Sequence, residues 1–306
     1  MRHISAKELR SLLPMVDAID ALEHAFAGDR AETPQRSVLE TGTGHMLLMP
    51  AVGSRSVGVK LVTVAPGNAT RNAPVVQGVY VLFAADDLRP LATIDGAALT
   101  VLRTAAVSGL ATRLLARGDA ERLVLFGAGA QACGHLKAMA AVRPIRSVVI
   151  VSRRAGEVGE LATIARRLGL ETRTGAPADV ADADLVCTCT SSPEPVFDGT
   201  LLAPGVHLNA IGAYTPSTRE VDDEAVRDSL VVVETREAAL AEAGDLLQPI
   251  TSGLLDPAGI RELGEVVRGT AGRRSEGERT LFKSVGVAFE DLAIAEAILA
   301  RAEIRL

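Results

Sequence analysis

Tryptophan is absent from this chain, and tyrosine occurs only twice, as Tyr80 and Tyr214. Aromatics make up 3% of the residues while hydrophobic residues reach 48%, so the interior has to be built from Leu, Val, Ala and Ile. Cys133, Cys187 and Cys189 are the three cysteines and do not amount to a disulfide framework. Cys187 and Cys189, two apart on a predicted strand, share one face. The five histidines are scattered, and no metal-ligand cluster is evident, so no metal is expected. The net charge of −6 argues against a nucleic-acid surface. No signal-peptide pattern opens the chain and no apolar run is long enough to span a bilayer. The expectation is a cytoplasmic protein without a membrane partner. Lysine is scarce too: of 32 basic residues only Lys7, Lys60, Lys137 and Lys283 are lysines. Against that background, a Lys inside an apolar strand stands out.

A length of 306 residues suggests two domains. Ser5-Ala-Lys-Glu8 predicts a capping box. Pro14 fits the first turn of a second helix, with Val16, Ile19, Leu22 and Phe26 inward. Residues 36–64 read as strands separated by Gly-rich turns, with further strands over 75–83 and 91–94. Together they predict a mixed or antiparallel sheet. A long helix follows over 97–116. From 120 to 235 the pattern changes. Apolar runs at 123–126, 147–151, 185–189, 206–211 and 230–233 alternate with helical or loop segments, the βαβ rhythm of a parallel sheet. A helix over 155–168 follows the second of these strands. The last helix, over 285–302, carries Val285, Phe289, Leu292, Ala295 and Leu299 on one face and is expected to pack back on the first domain. The predicted fold class is α/β: a Rossmann, doubly wound parallel sheet over 116–289, and a second, α+β domain over 1–115 with 290–306. Closely joined domains suit a site in a cleft between them.

The most informative stretch is 123–139. Leu123 to Phe126 form an apolar run that stops at Gly127. Gly127, Gly129 and Ala132 then fall in the spacing G-x-G-x-x-A ahead of a helix. The first Gly serves the tight turn, the second lets a pyrophosphate approach the backbone, and the small third residue lets helix and strand pack closely. The helix N-terminus offers free N–H groups to the phosphates. An ordinary tight βα turn is the plain alternative. At the end of the next strand, Ser147–Val151, an NAD site commonly places an acid for the ribose 2′-hydroxyl. Here Ser152, Arg153 and Arg154 follow instead. A hydroxyl and guanidinium groups suit the 2′-phosphate of NADP, so NADP(H) is preferred and NAD(H) remains open.

Lys60 sits within Val57–Val64 and shares a strand face with Val62 and Val64. On a cleft face it implies a bound anion or proton transfer; on an edge strand its head would simply be solvated. Leu99, Arg103, Ala106 and Leu110 fall on one helical face, where an Arg is costly unless paired. It would be either a structural ion pair or a bidentate holder of a substrate carboxylate. Arg36, in a polar stretch, reads on its own as a surface residue. Tyr214, in the loop after the strand 206–208, is either a proton donor or a packing residue. Thr280 to Gly286, with Ser284, reads alone as an ordinary connection.

Motifs over nearly the whole chain resemble the ornithine cyclodeaminase/mu-crystallin family. They include Met49-Pro50, Gly58-Val-Lys60 with Pro66 and Asn68, and Leu99-Thr100 with Arg103-Thr104-Ala-Ala106. Gly127-Ala-Gly129-Ala-Gln131-Ala132, Gly205 to Gly212 and Gly244-Asp245 follow, then Thr280 to Gly286 with Glu290-Asp291. The resemblance implies an NAD(P)-dependent homodimer acting on small anionic imino or amino acids, its first domain serving substrate binding and dimerisation. It further implies that Arg36, Lys60 and Arg103 bind the substrate carboxylate, with Val285 near the substrate. Thr104, Gly127, Gly129, Ala130, Gln131, Ser152, Arg153, Arg154, Thr190, Ile211 and Ser284 would line the cofactor. In ornithine cyclodeaminases an Asp stands where this chain has Tyr214, and a Lys near Thr218. A neutral phenol, with an ordinary pKa of about 10, cannot replace a carboxylate as a base. The expectation is therefore an NAD(P)H-dependent reductase of small α-imino acids, such as a cyclic ketimine, with Lys60 and Tyr214 as proton-handling residues. The rivals are a cyclodeaminase that recycles its cofactor and a non-enzymatic binder of NADPH and a small ligand.

Overall fold

The computed structural model describes residues 1–28, 31–71, 73–153 and 158–304. The chain divides into two compact units, residues 1–103 with 286–306 and residues 104–285. The first division falls inside the long helix rather than at its end, and the second lies just ahead of the final helix.

The first unit begins with β1 (Arg2–Ile4), α1 (Ala6–Leu12) and α2 (Met15–Ala27), then β2 (Ser37–Thr41), β3 (Gly44–Val52), β4 (Ser56–Val64), β5 (Val76–Ala84) and β6 (Pro90–Asp95). Ser5 caps α1 by accepting the Glu8 N–H. The strands form a six-stranded sheet in the order β1-β6-β5-β4-β3-β2. β2 to β6 pair as an antiparallel meander and β1 lies parallel to β6. On α2 the inward residues are Ala18, Ile19, Leu22 and Phe26. Val16 is 49% exposed, against expectation. At about 100° per residue it lies roughly 120° from Leu22, outside the apolar stripe. Helix α3 (Gly96–Leu115) follows β6. Among the described residues it is long and apolar enough by length and composition to cross a membrane, although most of it is buried. The absence of long apolar runs did not anticipate this, because Arg103 and Arg113 interrupt the run without lowering its mean much.

The second unit holds β7 (Arg122–Phe126), α4 (Ala130–Val142), β8 (Ser147–Val151), α5 (Val158–Arg167), β9 (Glu171–Thr174), β10 (Leu185–Thr188), β11 (His207–Ala210), α6 (Asp223–Val226), β12 (Ser229–Val233), α7 (Arg236–Glu242), α8 (Gly244–Thr251), β13 (Arg261–Glu262), α9 (Leu263–Val267) and β14 (Arg279–Lys283). They build an eight-stranded sheet, β13-β12-β14-β11-β10-β7-β8-β9, in which the paired strands run parallel. The order reverses between β7 and β10, the switch point at which open parallel sheets bind ligands beyond their carboxyl ends. Strand β14 corrects the reading of 280–286 as a plain connection, since it lies between β11 and β12 in the interior of the sheet. Its apolar core is only Leu281-Phe282, and its buried Thr280 and Lys283 find polar partners, so no apolar run marks it. The start of the helix expected from residue 155 lies outside the described residues.

The chain then returns to the first unit as α10 (Ala288–Arg301). It packs on α2, β3 and β4, and Phe289 meets Phe26 edge-on with ring centroids 4.8 Å apart. Phe289, Leu292, Ala295 and Leu299 are buried as expected, but Val285 precedes the helix and belongs to the second unit.

Candidate active site

In the first unit, β4 is an interior strand whose residues alternate between buried and half-buried. Ser56, Gly58, Lys60 and Val62 take the buried face. Lys60 is only 1% exposed, which excludes the solvated edge-strand reading. Its Nζ lies 2.8 Å from Oδ2 and 3.0 Å from Oδ1 of Asp291, donating a hydrogen bond to the latter. Burial and the neighbouring Arg103 charge pull its pKa down to about 8, while Asp291 and Glu290 work against them. An ammonium that titrates near neutrality is suited to giving up a proton and taking it back.

Arg103 is also buried. Its Nη1 donates to Glu290 Oε2 at 2.9 Å, and its Nε stands 3.6 Å from Asp291 Oδ1. Gly286, with φ at +80°, leaves the space that the guanidinium fills; a Cβ there would overlap it. Thus Lys60 and Arg103 come together through two consecutive acids in the first turn of α10, Glu290 and Asp291. Arg36 is half-buried just before β2.

In the second unit, Gly127 has φ of +100°, and a Cβ on it would lie 2.5 Å from the Cys189 carbonyl oxygen. Only glycine suits that turn between β7 and α4, where the chain passes close to the end of β10. Gly129 and Ala130 are exposed, and a Cβ on Gly129 would meet nothing within 4 Å. The N–H groups of Ala130, Gln131 and Ala132 precede the helical bond that Cys133 makes to the Gly129 carbonyl at 3.1 Å. Two buried polar atoms near this end of the chain's second unit, Gln131 Oε1 and Thr104 Oγ1, have no hydrogen-bond partner. Buried polar atoms are ordinarily satisfied, so these two together with the open approach to Gly129 fit a dinucleotide. His135 braces the helix, its Nδ1 2.8 Å from the Gln131 carbonyl and its Nε2 2.9 Å from Ser108 Oγ. Burial lowers its pKa to about 4, so it stays neutral.

Beyond β8, Ser152 is half-buried and Arg153 exposed, and Arg154 lies outside the described residues. Thr190 and Ser284 are engaged in holding loops. Glu220, fully buried, accepts from the Thr190 N–H (2.8 Å), the Thr190 and Thr188 hydroxyls (2.7 and 2.9 Å) and the Gly212 N–H (2.6 Å). Glu234 accepts from the Ser284 hydroxyl at 2.5 Å and the Val285 N–H at 3.1 Å. Lys283 pairs with Asp245 at 2.7 Å. The Ile211 N–H donates to the Thr188 carbonyl at 3.1 Å. Tyr214 is half-buried and packs against the apolar core of this unit, which matches its packing alternative. Its assignment as a proton donor rests on loop position alone. Burial raises the thiols of Cys187, to about 12, and of Cys189, which leaves them poor nucleophiles. Residue types alone did not single out Glu220, Glu234, Glu290 or Asp291, because isolated acids on helices and loops look solvated.

The doubly wound sheet with its glycine turn, and the buried lysine paired to a carboxylate, define a dinucleotide-dependent enzyme of the α/β class. A family model for the ornithine cyclodeaminase/mu-crystallin family matches residues 3–305. A Delta(1)-pyrroline-2-carboxylate reductase of Bacillus cereus is 38% identical over 317 residues, covering 98% of this chain and 96% of that protein. The solved structure of Thermococcus litoralis Delta(1)-pyrroline-2-carboxylate reductase in complex with NADH and L-proline superposes with a TM-score of 0.95. It is 33% identical, covering 99% of this chain and 98% of that one. Iminosuccinate reductase of Paracoccus denitrificans in complex with NAD+ superposes with a TM-score of 0.90 at 27% identity, covering 99% and 96%. The chain belongs to the ornithine cyclodeaminase/mu-crystallin family.

Proposed function

We propose that this protein reduces a cyclic α-imino acid of the pyrroline-2-carboxylate type to the amino acid, with NADPH preferred over NADH. It is a nicotinamide-dependent oxidoreductase acting on C=N bonds of small imino acids. The observation that carries the chemistry is Lys60: buried, paired with Asp291, and brought to a pKa of about 8. Bound NAD(P)H supplies hydride to the imine carbon. Lys60 holds the proton that the imine nitrogen takes up, and Asp291 keeps the ammonium in place. The positive charges of Lys60 and Arg103 are offset by Glu290 and Asp291, so the cluster has little net charge to attract an anion. Arg36 supplies the additional cation for the substrate carboxylate, with Arg103 as its second contact. Ser152 and Arg153 take the 2′-phosphate of NADPH. The edge strand β2 exposes Val38 and Leu39, at 50% and 53%, which supports a homodimer built on this unit.

The test compares oxidation of NADPH and NADH with pyrroline-2-carboxylate and with 2-oxo acid–amine mixtures, beside an ammonia assay on ornithine. Rapid NADPH oxidation with the cyclic imine is expected. Ammonia from ornithine with no imine reduced would overturn the reading. Lys60→Met should abolish turnover and leave NADPH binding intact; a variant with unchanged turnover removes Lys60 from the mechanism.

A further inference from the structure

Lys60 stands at one end of a buried polar row that runs through the first unit. Ser56, Gly58 and Lys60 follow one another on the buried face of β4, and Tyr80 of β5 lies directly opposite Lys60 in the sheet register. Tyr80 is fully buried, and its hydroxyl fills the position that a side chain at Gly58 would take. That oxygen therefore sits between Ser56 and Lys60, and it has no hydrogen-bond partner. Ser56, also fully buried, donates its hydroxyl to Glu296 Oε1 of α10 at 2.5 Å. Glu296 is half-buried and lines a surface pocket of about 330 Å³ together with His24, Arg55 and Ala297.

A phenylalanine at position 80 would fill the same space without burying an O–H that gains no bond in return. A tyrosine there calls for a use of its hydroxyl. We propose that Glu296, Ser56 and Tyr80 form the route by which Lys60 regains the proton it gives to the substrate nitrogen.

The proposal rests on Lys60 being that proton donor. In each turnover hydride goes to the imine carbon and one Nζ proton goes to the nitrogen, which leaves a neutral amine on Lys60. Tyr80 gives its hydroxyl proton to Nζ and takes one from Ser56. The Glu296 carboxylate, which accepts the Ser56 hydroxyl at rest, takes a proton from solvent at the pocket and passes it to Ser56 as Ser56 gives its own to Tyr80. The net change is one proton drawn from solvent, with no other bond altered. Same-face neighbours on a strand are about 7 Å apart, so the Tyr80 hydroxyl, lying over Gly58, stands within a side-chain swing of Ser56 on one side and of Lys60 on the other. The charged groups bearing on this row are Arg103, Glu290 and Asp291 at the Lys60 end, and Asp291 and Glu296 around the phenol. Burial, with both carboxylates, holds the Tyr80 phenol protonated well above its ordinary range, so it gives its proton to Nζ only as it takes one from Ser56 and never rests as a phenolate.

The full enzyme with NADPH and pyrroline-2-carboxylate provides the test, in single-turnover and steady-state modes. The first turnover uses the proton already on Lys60, whereas later ones need it replaced. Tyr80→Phe should leave the single-turnover rate and the KM for the imine unchanged. It should also lower steady-state kcat at least fivefold and raise its solvent deuterium isotope effect. Glu296→Gln, at the solvent end, should show the same split. A kcat within twofold of wild type in both variants overturns the relay, as does an equal loss in single turnover, which marks a packing role. Lys60→Met separates the two ideas. Loss of single turnover in that variant, with normal kcat in the other two, removes the relay alone. Retained single turnover removes the donor itself and the relay with it.

Discussion

Asp291→Asn isolates the charge balance around Lys60. Asparagine keeps the volume and one carbonyl oxygen but drops the charge. Breaking a buried ion pair by removing one partner costs about 3–5 kcal/mol when the stranded charge persists. Lys60 has a cheaper escape, because its pKa in the wild-type protein is about 8. At pH 7 giving up its proton sacrifices roughly one pKa unit, about 1.4 kcal/mol. Neutralisation therefore wins over a stranded ammonium. The sign follows from linkage. An unfolded lysine titrates at 10.5 and the folded one at about 8. Between those values the unfolded chain binds more protons, so this group makes wild-type stability rise with pH across that window. Below 8 both states are protonated and its contribution is flat.

Losing Asp291 leaves burial, Arg103 and a weaker opposing Glu290, which moves the folded pKa below 8 and extends the window downward. For a variant whose Lys60 stays neutral, the protonation-linked penalty relative to wild type is about 1.4 kcal/mol at pH 7. It grows to about 2.7 kcal/mol at pH 6 and vanishes above pH 9. Urea unfolding of both proteins at pH 6, 7 and 9 measures it, and the activity of the variant at pH 7 should be lost with the proton. A stability difference that is the same at pH 6 and pH 9, or larger at pH 9, refutes the assignment of Lys60 as the titrating group.

Two further outcomes bear on the dinucleotide turn. Gly127→Ala places a Cβ 2.5 Å from the Cys189 carbonyl at a φ of +100°, and should destabilise the second unit by about 1–3 kcal/mol, read by thermal unfolding. Gly129→Ala meets nothing within 4 Å, so it should leave the melting temperature unchanged and weaken NADPH binding, read by fluorescence titration. If Gly129→Ala binds NADPH normally, the pyrophosphate does not pass there. Arg153→Ala should raise the KM for NADPH about tenfold, or about 1.4 kcal/mol, and leave that for NADH alone. An unchanged ratio removes Arg153 from cofactor selection.

Much of the architecture could be read from the chain because periodicity reports it directly. The apolar runs at 123–126, 147–151 and 230–233 match β7, β8 and β12 within a residue. The alternation around Lys60 placed it on one face with Val62 but left open whether that face was buried, which the structure shows it to be. Strands β9 and β14 escaped for opposite reasons. β9, Glu171-Thr-Arg-Thr174, is a largely exposed edge with no apolar signal, while β14 hides its polar ends in the interior through specific partners. Element type is a local property, but the satisfaction of a buried polar group is not.

The same distinction explains the site. Lys60 and Arg103 could be singled out as unusual cations in apolar settings, and the burial cost of each demanded an answering charge. The answers lie 231 and 187 residues downstream, in consecutive positions of α10. Glu290-Asp291 could be quoted as a motif but not given a role. Acids in the first turn of a helix already have a sufficient local explanation in the helix dipole. What separates the two roles is that both acids are fully buried at a point where an exposed first turn would serve the dipole equally well. Two buried cations with two buried anions make a neutral cluster, and that neutrality limits the chemistry. Under the proposed function an anionic substrate entering it calls for a further positive charge, the role proposed for Arg36. The same reading gives Lys60, whose pKa lies near 8, the part of proton donor rather than of a second carboxylate clamp.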